Sequence, residues 1–330
     1  MQKIEKIEIS VVMLVYNSET TVLESLESIK KQDYEVKEII VIDNHSTDNS
    51  VKIVEDFKKK NKNLEIRIIK REKTYAVSAS YNLGAKLARG DYLVTYHSDS
   101  SLPTNQELRK LILPFLEDSS VIATGSITIL PEDIWNKYGF WQKYVYASAA
   151  GKEIASGNCK FDCYKKDVFL KIGGCDEINF GGKDQVGGED ADLHIRLRKV
   201  GKVASSKGKV IHLHYMGSNY SLRDVVKNKW RLSRAYGRVL RIRGKDLSAN
   251  ALLILLTKPA LGALLFIPYL HVFGIALLIV YSFVYSRKMF VTPSTLMNPR
   301  ILVVPLLNII LIYYETFCMM RTFFVINKDK

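Results

Sequence analysis

Asp99 stands in "TYHSDSSLP" (95–103), two residues after His97 and just past an apolar run. An acid in that place can hold a divalent cation against a diphosphate. The His97 imidazole can ligate the same cation or donate to a phosphate oxygen. Asp, Ser and Pro are also turn residues, so a plain turn accounts for the composition as well. Asp43 closes another apolar run in "VIDNHSTDNS", where a carboxylate can accept from a base N–H or a ribose hydroxyl. Asp48 suits the N-cap of a following helix that holds Ser50 and Val51. In "GGEDADLHIRLRKVGK", Gly187 and Gly188 break the chain, and Glu189 and Asp190 open a helix that continues through Arg198. Acids at a helix start complement its dipole. Glu189, Asp190 and Asp192 are three acids in four residues, more than a cap needs. "KVIHLHYMG" sets His212 and His214 on one face of a strand, so both can point at one site.

These residues need a scaffold that brings them to one place. "IEISVVMLVY", "VKEIIVID", "LEIRIIK" and "DYLVTYH" are short β-branched runs that read as strands. "ETTVLESLESIKKQ", "NSVKIVEDFKKKNK" and "AVSASYNLGAKLARG" carry helical spacing. Strand–helix alternation predicts an α/β domain, a mostly parallel sheet with helices on both faces. Ligands of such sheets sit beyond the carboxyl ends of the strands. That rule aligns Tyr16–Asn17, Asp43 and His97–Asp99 along one edge. The first strand is followed by "YNSETT", so the glycine-rich dinucleotide fingerprint and the phosphate loop are both missing.

The chain has 330 residues and carries +14, from 48 Lys+Arg against 34 Asp+Glu. Such a balance points to an anionic partner. The excess concentrates in "LRDVVKNKWRLSRAYGRVLRIRGK". Wound at 100° per residue, Arg223, Lys227, Arg231, Arg234, Arg238, Arg241 and Lys245 share an arc of roughly 80°. Lys229 and Arg243 fall off it, and Asp224 alone dilutes it. This predicts a helix facing a membrane surface or phosphates. Residues 249–285 follow with Lys258 as their only charge. A hairpin of two short spans, roughly 249–267 and 270–286, fits best. One longer span from Pro259 is the alternative. "ILVVPLLNIILIYYETFCMM" can span or lie in the interface. The basic flanks, Arg287–Lys288 included, place both hairpin ends on the cytoplasmic side, and the charged opening "MQKIEKIE" leaves the first part in the cytosol. Because the charge clusters beside membrane segments, lipid rather than nucleic acid is the expected anionic surface. Cys159, Cys163, Cys175 and Cys318 lack a second pair at zinc spacing and are expected to be reduced packing residues.

"ISVVMLVYN", "EIIVIDNHSTDNS", "SYNLGAKLARGDYLVTYHSDSSLP", "SGNCKFDCYKKDVFLKIGGCDE" and "GEDADLHIRLRKVGKV" occur in the order seen in family 2 glycosyltransferases of GT-A fold, and residues 7–215 resemble that family. The resemblance implies inverting transfer of a sugar from a nucleoside-diphosphate donor to an acceptor hydroxyl. It puts Asp43 on the nucleoside, with Tyr16 and Asn17 lining the same pocket. Asp99 matches the second acid of Asp-x-Asp, the diphosphate–metal residue. Asp190 matches the general base, and His212 or His214 a histidine facing diphosphate or metal. Inversion needs one carboxylate opposite the leaving group to take the acceptor's proton, and charge neutralisation on the departing diphosphate. Glu189 or Asp192 would serve a double displacement only weakly. The chain departs from the family pattern at Leu14 (proline), Asn44 (second acid), Tyr81 (arginine) and His97 (first acid of Asp-x-Asp). The last puts the dependence on Mn²⁺ or Mg²⁺ in doubt. Arg231 and Ala235 replace the Gln and Trp of the processive Gln-x-x-Arg-Trp pattern, while Arg234 keeps its arginine.

The expected organisation is a GT-A domain over 1–222, a basic amphipathic helix over 223–248 and a membrane region of two to three apolar helices over 249–330. The expected activity is non-processive hexosyl or related transfer to a lipid-linked or glycan acceptor, hydroxyl or phosphate. It would take place at the cell membrane, multi-pass or re-entrant, with Arg231 and Arg234 near the acceptor. The competing expectation is a catalytically degenerate sugar-nucleotide-binding scaffold.

Overall fold

The structure, a computed structural model, describes residues 7–155, 157–180, 187–213 and 220–325. Its strands are β1 (Ile9–Val15), β2 (Glu38–Asp43), β3 (Ile66–Lys70), β4 (Tyr92–His97), β5 (Ser100–Ser101), β6 (Val121–Ile129), β7 (Glu153–Ala155), β8 (Phe161–Lys165) and β9 (Lys202–His212). Its first helices are α1 (Val22–Lys30), α2 (Ser50–Lys60), α3 (Val77–Leu87), α4 (Glu107–Glu117), α5 (Glu132–Asn136), α6 (Phe140–Tyr146), α7 (Lys166–Lys171), α8 (Glu177–Phe180) and α9 (Glu189–Val200). The later helices are α10 (Leu222–Arg243), α11 (Ala249–Ala263), α12 (His271–Tyr285), α13 (Arg287–Val291), α14 (Pro293–Leu296) and α15 (Val304–Phe324).

The described chain divides into two compact units. One holds residues up to Leu130, Gly151–Gln185 and Glu189–Tyr215. The other holds Pro131–Ala150, Val186–Gly188 and Met216 onward. Segment 131–150 thus groups with the C-terminal helices, although it lies inside the stretch expected to be the α/β domain.

The first unit is built on a nine-stranded sheet ordered β3-β2-β1-β4-β8-β6-β9-β5, with β7 paired to β6. The parallel run expected from the alternation is present: β3, β2, β1 and β4 are all parallel neighbours. Beyond β4 the sheet is mixed, since β8 pairs antiparallel with both β4 and β6. Side-chain alternation splits β1 between two cores. Ile9, Val11, Met13 and Val15 pack with Leu26, Phe57 and Leu111 from α1, α2 and α4. Val12 packs on the opposite face with Tyr81, Ala85, Phe169 and Leu193. Both faces are covered, which is why these strands read as unbroken apolar runs.

In the helical unit, the polar residues that interrupt the apolar stretches meet one another. Glu315 pairs with Lys258 and lies 3.2 Å from the Lys229 ammonium. Asn308 donates to Ser282 O (2.6 Å) and Ser286 Oγ (2.9 Å) and accepts from the Tyr144 hydroxyl (2.6 Å). Such partners lower the cost of polar groups in apolar surroundings. The basic helix forms as α10, but Lys245 lies past its end in a 3₁₀ turn. Asp224 is explained by its place: with Ser221 it forms a reciprocal capping box. By length and composition, Ala249–Phe266 and Pro299–Phe324 are long and apolar enough to cross a membrane. The second expected hairpin arm is α12, only 15 residues. At about 1.5 Å per residue it reaches roughly 22 Å, short of a core of about 30 Å.

Candidate active site

Parallel pairing decides which residues share the sheet edge. Val15 stands opposite Asp43, and Leu14 opposite His97, so β1, β2 and β4 end together. The loops that leave them are tied to each other. Asn17, in the left-handed region at φ 47°, accepts from Thr47 N at 2.8 Å and donates its own N–H to Ser46 Oγ at 3.0 Å. Ser46 N in turn donates to Asp43 Oδ1 at 3.2 Å. His45 also has positive φ, 70°. Non-glycine residues in this region carry strain that concentrates at functional sites.

Beside these loops opens a cleft of about 180 Å³, whose walls include Tyr16, Ser18, Asn44, Ser80, His97 and Asp99. Tyr16 is half exposed there, at 51 %. Asp43, buried, and Asn17 are not among the wall residues; they brace the loops that are. The departures from the family pattern acquire reasons. Leu14 is a wall of the cleft. Asn44 donates to Tyr75 O (2.8 Å) and accepts from Tyr75 N (2.9 Å), a reciprocal pair that a carboxylate could not make. Tyr81 is buried, with its hydroxyl on Cys159 O (2.8 Å) and its ring stacked on His97, 6.4 Å between centroids.

Asp99 is flanked by His97 and His212. His97 Nδ1 lies 3.7 Å from Asp99 Oδ1, and His212 Nε2 lies 3.1 Å from Asp99 Oδ2. The third strand element is supplied by β5 and β9: Ser100 faces His212 in antiparallel register, and Leu213 N donates to Asp99 O at 2.8 Å. One nitrogen or oxygen from each of His97, Asp99 and His212 falls within a 4.8 Å cluster. Desolvation opposes the charge on Asp99, but the His212 and His97 imidazoles outweigh it and hold the carboxyl well below its usual range. Burial pushes His212 below the ordinary imidazole value, against the pull of Asp99. The result is an ionised carboxylate beside an imidazole biased to its neutral form. Both are the protonation states that a cation needs from its ligands, so the donor set fits a divalent metal. His214 lies outside the described residues.

Asp190 sits in the first turn of α9, partly exposed, with Oδ1 accepting from Ala191 N at 2.7 Å. The Cys159 thiol is raised first by its neighbour Cys175 and by burial, with further contributions from the Asp162 and Asp190 charges. Tyr81 joins Cys159 to His97. Asp192 is in a different situation, fully buried and ion-paired with Arg196 at 2.7 Å; Arg196 also donates to Ile172 O and Gly174 O. That pair anchors α9, so Asp192 positions the helix that carries Asp190. Glu189 is half-buried beside Asp190. Arg231, exposed, and Arg234, stacked on Trp230, belong to the helical unit. All four cysteines are free and buried, as expected.

Two features escaped the sequence reading. Arg71, one residue past β3, donates to Ser80 Oγ at 3.1 Å and lies 3.6 Å over the Tyr75 ring, so a guanidinium stands beside the cleft although Tyr81 supplies none. The strand-end rule applied to β3 would have found it. The other is a buried constellation: Asp162 accepts from Ser126 N (3.1 Å) and Cys159 N (2.7 Å) and lies 3.6 Å from His194 Nε2. Nothing in the local sequence marks it. Asp48, expected as an N-cap, lies one residue before the N-cap Asn49, yet its carboxylate accepts from Ser50 N at 3.0 Å.

Residues 10–167 match the model of "Glycosyl transferase family 2". The chain is 34 % identical over 159 residues to "Glycosyltransferase GlyG" of Streptococcus pneumoniae serotype 4, covering 47 % of this chain and 52 % of that protein. It is 29 % identical over 184 residues to "Undecaprenyl-phosphate 4-deoxy-4-formamido-L-arabinose transferase" of Proteus mirabilis, covering 54 % and 55 %. The matches span about half the length of these relatives. Among solved structures, "Mannosyltransferase PcManGT from Pyrobaculum calidifontis in complex with GDP-Man and Mn2+" superimposes at a TM-score of 0.61 over 97 % of this chain and 88 % of that one. At 16 % identity that likeness is one of fold. The strand-edge cleft is therefore built on a domain of GT-A fold, and residues 10–167, which carry it, match the family 2 glycosyltransferases.

Proposed function

We infer that the protein transfers a sugar, with inversion, from a nucleoside-diphosphate sugar to a hydroxyl or phosphate of a lipid-linked acceptor at the cytoplasmic face of a membrane. One observation carries this reading: the His97–Asp99–His212 cluster opens into the same cleft as Tyr16 and Asn44, so a diphosphate and its nucleoside can be held together. Tyr16 offers an exposed ring to the base, and Asp43 braces the loops that shape the nucleoside pocket. His97, Asp99 and His212 would hold a divalent cation, whose charge neutralises the leaving diphosphate. Two imidazoles beside one carboxylate favour Mn²⁺ over Mg²⁺, which takes oxygen ligands. Asp190 takes the acceptor's proton as its oxygen attacks the anomeric carbon. Arg71 adds positive charge beside the donor.

The lipid-linked acceptor rests on three supports. One relative is named for transfer to undecaprenyl phosphate. Two helices have the length and composition of membrane spans. The cationic α10 also packs against α15, so its guanidiniums would meet the headgroups of the membrane surface that α15 enters. A panel of nucleotide sugars, each with Mn²⁺, Mg²⁺ or chelator, tests the reading by thermal shift and by release of nucleoside diphosphate. The expected result is a donor stabilised and cleaved only with metal. Metal-independent binding without turnover would instead favour the sugar-nucleotide scaffold, the reading that His97 in place of an acid prompts.

A further inference from the structure

The sheet edge carries a further cation beside the His97–Asp99–His212 cluster. In the antiparallel register of β4 and β8, Thr95 stands opposite Asp162 and Tyr96 opposite Phe161. One residue further, that register sets Lys160 opposite His97. Opposed residues of an antiparallel pair share a face of the sheet. The cores agree: Tyr96 and Phe161 pack in one, and Leu93 and Tyr164 in the other, the side of Tyr81. Alternation from Phe161 therefore gives Lys160 the face that His97 shares with Tyr81. The bend that leads into β8 is fastened at each residue. Asn158 Nδ2 donates to Thr128 Oγ1 at 3.3 Å, and its Oδ1 accepts from Lys160 N at 3.3 Å. Cys159, left-handed at φ 59°, donates its N–H to Asp162 Oδ2 (2.7 Å) and accepts the Tyr81 hydroxyl on its O (2.8 Å). Lys160 itself is half-buried. Burial is what chiefly lowers His212, and the Lys160 charge adds to it, so this ammonium is felt at the cluster.

We propose that Lys160 is a catalytic residue: its ammonium holds the sugar-bearing phosphate of the donor and takes up the charge that this phosphate gains as the sugar leaves. The proposal rests on the reading of the cleft as a site for a nucleoside-diphosphate sugar. Strand order gives the direction. β2 and β1 end at the nucleoside loops, β4 at the cation cluster, and β8 follows as the next strand, about 4.8 Å on. A donor laid along that edge from the nucleoside carries its second phosphate past the cluster, toward β8. Arg71 stands past β3, at the opposite end. In the transfer, the acceptor oxygen bonds to the anomeric carbon and gives its proton to Asp190. The bond from that carbon to the phosphate oxygen breaks, and its electron pair stays on the phosphate. Lys160 donates an N–H hydrogen bond to that oxygen and keeps its own proton. A hydrogen bond aimed where charge develops lowers the barrier more than it tightens the ground state.

The test is calorimetric titration of the full chain, in Mn²⁺, with the di- and monophosphates of uridine, guanosine, cytidine, adenosine and thymidine. Wild type is expected to bind at least one diphosphate more tightly than its monophosphate. Lys160→Ala and Lys160→Met, the second of which keeps the stem, hold the monophosphate affinity. Both lose about 10- to 100-fold of the diphosphate preference, as for a hydrogen bond to a charged group. Release of nucleoside diphosphate from the matching sugar nucleotide falls by about 10²–10³-fold. Lys152→Ala, at an exposed lysine of the same unit, shifts the preference by about twofold or less. An unchanged preference in both Lys160 variants, or full turnover in both, overturns the proposal and leaves the donor reading standing. So does an equal loss of mono- and diphosphate affinity, which makes Lys160 part of the fold of the bend. An equal loss in Lys152→Ala overturns it in favour of a diffuse field. Wild type that binds none of the diphosphates overturns the proposal together with the donor reading.

Discussion

The α/β unit contains two histidine–aspartate constellations of nearly the same composition. In one, Asp99 lies between His97 and His212 with 37 % of its side chain exposed. In the other, Asp162 lies beside His194 and Tyr164 with no exposure at all. The difference is in what is left over. Asp162 spends its oxygens on the amides of Ser126 and Cys159 and on its ring neighbours, deep in the sheet. Among the described residues, the Asp99 carboxylate pairs with His97 and His212, both metal-ligand types, at the mouth of a cleft. His194 is wedged so closely that a Cβ on Gly157 would fall 2.6 Å from its ring. A carboxylate does chemistry when it keeps lone pairs and access; otherwise the same residues are architecture.

Perturbing the open side should change function and leave stability nearly intact, and perturbing the closed side should do the reverse. The largest effect is expected from Asp190→Asn: turnover falls by about 10²–10⁴-fold, the range of general-base catalysis, while donor affinity holds. Full activity in that variant would remove Asp190 as the base. Asp99→Ala should lower Mn²⁺ affinity by at least about 10- to 100-fold, since even residues supporting a metal ligand cost that much. Unchanged Mn²⁺-dependent donor binding would disconnect the cluster from metal.

On the closed side, Asp162→Ala should cost about 3 kcal/mol of stability by orphaning buried donors, read by denaturant unfolding. Gly157→Ala should cost about 1–3 kcal/mol through overpacking against His194. Metal binding by the folded protein should survive both. A variant that unfolds no sooner but loses Mn²⁺ would show that the two constellations are one site.

Acid separates them further. His212 must be neutral to ligate, and its depressed value means that Mn²⁺ is retained as pH falls through about 6.5 and is lost only below it. Burial works against the charge of Asp162, yet His194 and the two amides hold its carboxyl below the usual range. A lowered acid contributes stability above its unfolded value of about 3.9, lost as pH falls through the folded value. Mn²⁺ release should therefore precede unfolding during acid titration, followed by metal affinity and by fluorescence. Simultaneous loss would collapse the distinction.

Much of the α/β unit was legible before any coordinates. The apolar runs ending at Val15, Asp43 and His97 became parallel strands because both sheet faces are covered, and their polar ends reached one edge. The run of acids at Glu189 opened a helix as its dipole and the glycines before it required. The sequence also carried the cationic arc of α10 and the reduced state of the cysteines, both of which follow from local pattern. It could not say that His212, more than a hundred residues from Asp99, would arrive opposite Ser100, because antiparallel register between β5 and β9 is a long-range choice. The family resemblance singled out Asp190, but residue type and helical position alone did not separate it from Asp192, two positions apart on one helix. Helical rotation turns one into solvent and the other into Arg196, and only packing decides which face is buried. The same holds for Asp99 against Asp162: residue type sets what a carboxylate can do, and burial sets whether anything reaches it.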